Sequence, residues 1–346
     1  MLKRHFYYYL LKPYLPRSMR TGLRRIMARW KRKKYRATWP IDEAAAKKPN
    51  GWQGWPDGKK FALVLTHDVE GPEGLARCRH LAEIEMKLGF RSSFNFIPEG
   101  SYSVAPELRA WLVENGFEVG VHDLKHDGKL YVNQAQFRRH ALRINYYINE
   151  WNVDGFRSGF MHHHQAWLHD LNVRYDASSF DTDPFEPQPD GAGTIFPFWV
   201  PAPDGNGHGH QGTRFIVDLV PTPTRPSSSP LPYAPVPNRE GYVELPYTLP
   251  QDSTLFMLLE EKTSEIWQQK LAWIVRNGGM ALINVHPDYL HLQAPGPDPR
   301  PTAEDHYVGW LQHVKEKYGD TCWHALPREM ATFVREWKER AAANVS

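Results

Sequence analysis

The sequence is poor in cysteine and long apolar runs and, at its start, in acidic residues. Cys78 and Cys322 are the two cysteines among 346 residues, which excludes a disulfide framework or a four-thiolate zinc site and fits a reducing compartment. No run approaches the roughly 20 apolar residues that span a bilayer, and the N-terminus lacks the ordered regions of a signal peptide. These absences predict a cytoplasmic protein. With 41% hydrophobic and 23% charged residues, the chain has enough apolar material to fold as a globular protein.

The absence of acids from the first 41 positions divides the chain electrostatically. Residues 1–36 hold 13 of the 42 lysines and arginines, which leaves 29 bases against 39 acids in the rest of the chain. The formal net charge of +3 is therefore the sum of a basic arm and an acidic globule.

Aromatic and aliphatic residues are interleaved with the bases of this arm. Between Arg20 and Tyr35, apolar residues recur at positions 23, 26, 27 and 30, which predicts a basic amphipathic helix. Such a helix fits an anionic membrane surface, an acidic partner or the acidic globule behind it. No nucleic acid is expected, because no recognised nucleic-acid motif accompanies the charge. The membrane alternative, through residues 1–36, would place the protein peripherally at the inner membrane face.

The rest of the chain reads as a linker followed by one large domain. Residues 40–60 are rich in glycine, proline and tryptophan, so we expect an arm and linker over 1–59 and a domain over 60–346. In the domain, short apolar runs alternate with amphipathic stretches, the pattern of parallel strands joined by helices. The predicted strands are 61–67, 91–97, 117–122, 153–157, 173–177, 241–246, 280–286 and 320–325. Eight strands and seven helices predict an α/β fold, a distorted, TIM-like (β/α) barrel of seven to eight strands.

One region interrupts this alternation. Residues 184–237 contain 13 of the 29 prolines, which is incompatible with a regular strand and helix unit. We therefore predict an insertion over 184–240, in which the runs 194–200 and 214–220 are candidate edge strands or a hairpin.

Two carboxylates follow the first predicted strand. Asp68 and Glu70 are two residues apart, so in extended chain both side chains face the same way from the strand's carboxyl end. Carboxylates at a barrel mouth are a catalytic arrangement. The alternative is that they cap the helix that begins near Pro72.

Other strand ends carry further polar residues. His122 and His126 are four residues apart, a spacing that places both on one face of a helical turn and allows them to share a metal. In a chain with 17 histidines such a pair also arises by chance, so its position at a strand end is what favours a metal site. Arg157 ends another strand and is suited to hold a carboxylate ionised. His286 ends another predicted strand, although a lone histidine in such a position is also common as a structural residue.

These strand ends together resemble the five motifs of the polysaccharide deacetylase family, also called the NodB homology domain or carbohydrate esterase family 4. The resemblance covers roughly residues 60–335. The matching segments, in the family's order, are Thr66 to Glu70, His122 to His126, Arg157 to Gly159, Asp176 to Ser178, and Ala281 to His286. Each motif is weak alone, but five in the family's order are specific.

The resemblance implies a distorted β/α barrel that holds one divalent metal, commonly zinc, with cobalt or nickel also used. It implies metal-dependent N-deacetylation of a sugar in a polysaccharide, O-antigen or glycolipid precursor. The implied roles are general base for Asp68, general acid for His286, base orientation for Arg157, metal ligation for Glu70, His122 and His126, and substrate contact for Asp176, Ser178 and Leu282.

The first motif departs from the family's adjacent aspartates, since this chain has Asp-x-Glu. It therefore stays open whether Glu70 or Asp68 is the metal ligand. Two alternative functions also stay open: a catalytically silent carbohydrate-binding barrel, and a related amidase that acts on a non-sugar C–N bond.

Overall fold

The protein is described by a computed structural model over residues 17–203, 240–293 and 300–343. The strands are β1 (Phe61–Val69), β2 (Ser93–Phe96), β3 (Glu118–His122), β4 (Gly155–Arg157), β5 (Tyr175–Asp176), β6 (Phe198–Pro201), β7 (Gly241–Glu244), β8 (Met280–Asn284) and β9 (Cys322–His324). The α-helices are α1 (Arg17–Lys34), α2 (Pro72–Leu88), α3 (Pro106–Glu114), α4 (Gln134–Trp151), α5 (Gln165–Leu168), α6 (Glu265–Asn277), α7 (Ala303–Tyr318) and α8 (Pro327–Ala343). None of the helices in these ranges combines the length and apolar composition that a membrane span requires.

The strands form one sheet in the order β6-β7-β5-β4-β3-β2-β1-β8, with β9 paired to the first residues of β1. All pairs are parallel except β6 with β7. A parallel sheet is covered by other elements on both faces, which explains why every residue of β1 and β8 is buried.

The two ends of the sheet approach each other. The backbone N–H groups of Thr248 and Leu249, which follow β7, donate to the carbonyl of Leu282 in β8 at 3.0 and 3.1 Å. β7 and β8 are not neighbours in the sheet itself, so closure is irregular. The distorted (β/α) barrel predicted from the sequence is confirmed, and its parallel strands place their carboxyl ends at one mouth.

The proline-rich region contributes an edge strand. β6 corresponds to the run expected at 194–200 and lies antiparallel to β7 at the end of the sheet. Pro201 is tolerated there because an edge strand has one unpaired side. The run at 214–220 lies outside the described residues.

Helix α1 is the predicted amphipathic helix, and it lies against the barrel. Arg25 Nε donates to the Met257 carbonyl at 3.1 Å, and the Arg25 guanidinium pairs with Glu260 at 2.9 Å. Arg32, about two turns further along the helix, pairs with Glu261. Helix α1 thus docks on the acidic globule, one of the three arrangements that the charge pattern of the arm allows.

The tryptophans of the linker pack on the domain, as expected. Trp39 and Trp55 are buried, and the Trp55 indole donates to the Gly278 carbonyl at 2.8 Å. The Trp52 ring lies 4.6 Å from Trp55 and 5.3 Å from Phe196, centroid to centroid. These contacts fix the linker on the outside of the barrel.

Candidate metal centre

Asp68, near the end of β1, is held from both neighbouring strands. Asn95 of β2 donates to Oδ1 at 2.9 Å, and Asn284 of β8 donates to Oδ2 at 2.8 Å. A Cβ on Gly120 of β3 would lie 2.2 Å from the Asn95 amide oxygen, so only glycine leaves room for this asparagine. Arg157 Nε lies 3.5 Å from Oδ1. These contacts fix the orientation of the Asp68 carboxylate.

The same contacts set the charge of Asp68. Burial acts to raise its pKa, but the Arg157 guanidinium holds the pKa well below its ordinary value. His122, His286 and the Asn95 amide act in the same direction as Arg157. Asp68 is therefore ionised near neutral pH, and it accepts a proton readily only from a donor made acidic by a nearby cation.

Glu70, His122 and His126 form a group whose three potential ligand atoms lie within 4.8 Å of one another. His122 Nδ1 lies 3.0 Å from the Arg157 carbonyl and donates to it, so its Nε2 carries the lone pair. His126 Nε2 lies 3.6 Å from Glu70 Oε1. Both Nε2 atoms are buried without a hydrogen-bond partner among the described residues.

This arrangement fits a metal ion. Buried polar atoms are normally paired, so two imidazole nitrogens that share one space and have no partner among the described residues indicate a site for a cation. Two imidazoles and one carboxylate suit zinc, cobalt or nickel, and they leave coordination positions open for water and substrate.

The loop after β3 places His126, and its backbone differs from the helical turn that the spacing suggested. Asp123 and His126 have φ values of 57° and 53°, in the left-handed region. The Asp123 carboxylate accepts the backbone N–H groups of Leu124 at 2.6 Å and Gly159 at 3.2 Å. A Cβ on Gly159 would lie 2.7 Å from the His126 ring, so this position needs glycine. The two histidines meet through a strained loop that the third motif supports.

His286, just after β8, is paired with a carboxylate that the sequence analysis missed. Asp252 Oδ1 lies 2.6 Å from His286 Nδ1, and Asp252 Oδ2 accepts the His286 backbone N–H at 2.8 Å. Burial acts to lower the pKa of His286, but Asp252 raises it to about 10. His286 Nε2 lies 3.9 Å from Glu70 Oε1. His286 therefore holds two protons, and the one on Nε2 is beside the metal-ligand group.

Glu70 is held by the short turn that follows His286. The Tyr289 hydroxyl donates to Glu70 Oε2, and Asp288 accepts the Glu70 backbone N–H at 2.8 Å. Burial acts to raise the pKa of Glu70, but His286 and His126 hold it below its ordinary value. Glu70 is thus an oriented carboxylate, as a metal ligand must be.

The expected substrate contacts are fully buried in the structure. Ser178 donates from Oγ to Asp176 Oδ1 at 2.7 Å, and its Oγ accepts the Ser158 backbone N–H at 2.8 Å. The Leu282 side chain is also buried. Asp176 and Ser178 therefore brace the loop after Arg157, and substrate contact by Asp176, Ser178 and Leu282 stays a prediction.

Six of the predicted residues meet at the barrel mouth: Asp68, Glu70, His122, His126, Arg157 and His286. Four positioning residues had not been predicted: Asn95, Asp252, Asn284 and Tyr289. Asn95 and Asn284 lie in β2 and β8, where an alternating polar residue carries no distinct signal. In the sequence, Asp252 is an acidic residue after a predicted strand and Tyr289 is an aromatic residue in a turn. Neither pattern indicates a positioning role.

No protein-family model matches this chain, and no curated protein matches it. Among solved structures, it is similar to a Mycobacterium smegmatis protein provisionally described as a polysaccharide deacetylase. The two are 18% identical, 84% of this chain and 96% of that chain are covered, and the TM-score is 0.56. This similarity confirms, at the level of the fold, the family resemblance that the motifs indicated.

Two further solved structures are similar at lower TM-scores. Peptidoglycan deacetylase PdaC from Bacillus subtilis is 11% identical, with 84% of this chain and 96% of that chain covered and a TM-score of 0.42. A family 4 acetyl xylan esterase from Clostridium thermocellum, solved with a cobalt ion, is 12% identical, with 79% and 91% covered and a TM-score of 0.35.

Proposed function

We propose that this protein is a metal-dependent hydrolase that removes the acetyl group from an N-acetylated sugar in a polysaccharide, O-antigen or glycolipid precursor. The observation that carries the proposal is the pair of Nε2 atoms of His122 and His126, which share one space with Glu70 and have no partner within the described ranges. Asp68 and His286 lie beside this group with opposite charges. The five motifs and the similarity of fold support the same activity.

Glu70, His122 and His126 would hold the divalent ion, zinc first and cobalt or nickel as alternatives. When bound, such an ion polarises an amide carbonyl and acidifies water near neutral pH. Glu70 is the proposed carboxylate ligand because Asp68 already accepts from two asparagine side chains, whereas Glu70 Oε1 faces the histidines. We therefore propose Glu70, and not Asp68, as the carboxylate ligand of the metal.

Asp68 and His286 divide the proton transfers between them. Asp68 takes a proton from the water that adds to the acetyl carbonyl carbon, and Arg157 keeps its carboxylate ionised and oriented. His286 gives the Nε2 proton to the amine nitrogen as the C–N bond breaks, so the products are acetate and a free amino sugar. Asp252 stabilises the positive ring before this transfer.

The test is acetate release from a panel of N-acetyl sugars and sugar precursors by the zinc-loaded and cobalt-loaded protein. We expect release that stops when the metal is removed and returns when it is restored. Zinc binding without acetate release from any substrate would instead favour a silent carbohydrate-binding barrel. Hydrolysis of non-sugar amides alone would favour the amidase.

We further propose that the protein works at the cytoplasmic face of an anionic membrane. The support is the sequence of residues 1–36, with 13 bases, no acids and many aromatic residues, together with the small number of cysteines. A substrate carried on a lipid fits this location.

A further inference from the structure

Helix α1 binds the barrel through one side. Its inward side contains Ala28, which is 3% exposed, and Arg25, which pairs with Glu260. Arg29 reaches the same glutamate at 3.1 Å. The side-chain contacts among the described residues are mainly ionic, and the large apolar residues of this helix are not among those that dock it.

The apolar residues of α1 lie on its outward side. Ile26 is 63% exposed and Trp30 is 62% exposed, and three further apolar residues share this side at spacings of three or four. The complete exposed set is Met19, Leu23, Ile26, Met27 and Trp30, which we call the outer stripe. Large side chains this exposed on one helix face indicate a surface that is covered in use.

Basic side chains border the outer stripe. Lys33 and Lys34 are exposed and follow Trp30 by three and four residues, and Lys34 Nζ lies 5.3 Å from the centre of the Trp30 ring. An apolar stripe bordered by lysines suits the boundary of an anionic bilayer, where the stripe enters the acyl region and the lysines reach the headgroups. A second copy of the stripe would bring these lysines against each other, which disfavours self-association.

The docking contacts connect α1 to the candidate metal centre. Lys31 Nζ donates to the Pro184 carbonyl at 2.6 Å. Two residues later, Glu186 accepts a hydrogen bond from Gln251 at 2.7 Å. The Gln251 side chain in turn accepts from Asn284, which holds Asp68.

A second route joins the same helix to His286. The π-helix Ser253–Leu258, which supplies the Met257 carbonyl to Arg25, begins directly after Asp252. Two of the segments that α1 contacts are thus connected to residues of the candidate metal centre. These connections position the helix on the same body as the barrel mouth.

We propose that the outer stripe binds an anionic bilayer and holds the barrel mouth at its surface. The substrate inferred here rests on the proposed deacetylase activity: it is an N-acetyl sugar joined to a membrane lipid. Residues Glu260 and Glu261 set the orientation of the helix, and the outer stripe supplies the contact.

The experiment is co-sedimentation with phosphatidylcholine vesicles, with and without phosphatidylglycerol. The test variant is Ile26→Asp with Met27→Asp. The matched control is Leu142→Asp with Tyr146→Asp, which changes two exposed residues one turn apart on α4. We expect binding that requires phosphatidylglycerol, a loss of roughly tenfold or more in affinity for the test variant, and no loss for the control. Both variants should keep wild-type circular dichroism and zinc binding.

Three results would overturn the inference. They are an absence of wild-type binding to the anionic vesicles, an equal loss in both variants, and a solution dimer that dissociates only in the test variant. Vesicle binding needs no turnover, so vesicle binding without acetate release would refute the proposed function and leave this inference standing. Acetate release without vesicle binding would do the reverse.

Discussion

His67 and Asp68 are neighbours in β1, yet they belong to two regions that differ in whether their buried histidine nitrogens have hydrogen-bond partners. His67 is fully buried, and its ring nitrogens lie 2.8 Å from the Val285 carbonyl and 2.8 Å from Glu85 Oε1. Both partners carry acceptor oxygens, so each ring nitrogen of His67 faces an oxygen atom. Glu85 accepts further hydrogen bonds from Ser92 at 2.6 Å and Tyr307 at 2.6 Å. We call this fully paired group the inner network.

The barrel mouth contains the same residue types, but some of their ring nitrogens have no hydrogen-bond partner within the ranges that the structure describes. His122 and His126 each have a buried Nε2 without a partner among the described residues, and both lie near the Glu70 carboxylate. A buried histidine beside a glutamate therefore does not by itself mark a functional site. What marks it is a set of ligand atoms that converge on one space and have no hydrogen-bond partner in the described part of the chain.

The largest expected effect is on turnover, from Asp68→Asn. The amide keeps the shape of the side chain but removes the proton acceptor, so the rate of acetate release should fall by about 10²- to 10⁴-fold. Zinc binding should persist, because Asp68 is not a proposed ligand. A rate within about tenfold of wild type would show that another group acts as the base.

The next effect is on stability, from Glu85→Gln in the inner network. This change removes the buried carboxylate that His67, Ser92 and Tyr307 contact, which should lower the free energy of unfolding by about 3 kcal/mol. Urea unfolding at pH 7 measures the change. The zinc content of the folded protein should stay at the wild-type value. A loss of zinc from this variant would show that the inner network and the barrel mouth are not separate in function.

Two tyrosines distinguish the regions further, because Tyr289 donates to Glu70 at the barrel mouth and Tyr307 donates to Glu85 in the inner network. Tyr289→Phe removes the hydrogen bond to Glu70 and should weaken zinc affinity by about tenfold, with little change in stability. Tyr307→Phe removes the hydrogen bond to Glu85 and should lower stability without changing zinc affinity. Isothermal titration calorimetry and urea unfolding separate the two results. Equal zinc affinities for the two variants would contradict the assignment of Glu70 as a ligand.

The smallest effect is a pH dependence of stability that comes from Glu85. Burial acts to raise its pKa, but the His67 ring and three hydrogen bonds hold the pKa below the ordinary value of 4.5. The folded protein therefore binds this proton less readily than the unfolded chain does, so the stabilisation is complete above pH 4.5 and declines as the pH falls further. The stability difference between wild type and Glu85→Gln should narrow in acid. A difference that widens below pH 4.5 would contradict this sign.

Local patterns in the sequence predicted much of the fold and site. The apolar run 61–65 and the polar residues after it placed β1 and the Asp68 and Glu70 pair at a strand end. His122 and His126 were found by spacing and position. Their shared space depends on a left-handed loop, however, which the spacing does not encode.

Contacts between distant segments could not be predicted in the same way. Asp252 and His286 are 34 residues apart and meet because the chain after β7 folds back against β8. The docking of α1 depends on Glu260 and Glu261, more than 225 residues later in the chain. The sequence predicted an amphipathic helix, but not that its charged side would face the barrel and its apolar side the exterior.

The most direct measurement is the zinc content of wild type, His122→Ala and Glu85→Gln after equilibrium dialysis. The distinction between the two regions predicts about one ion per chain for wild type, none above background for His122→Ala, and about one for Glu85→Gln. A wild-type protein that binds no zinc, cobalt or nickel, or a His122→Ala variant that keeps its zinc, would contradict the metal centre at the barrel mouth.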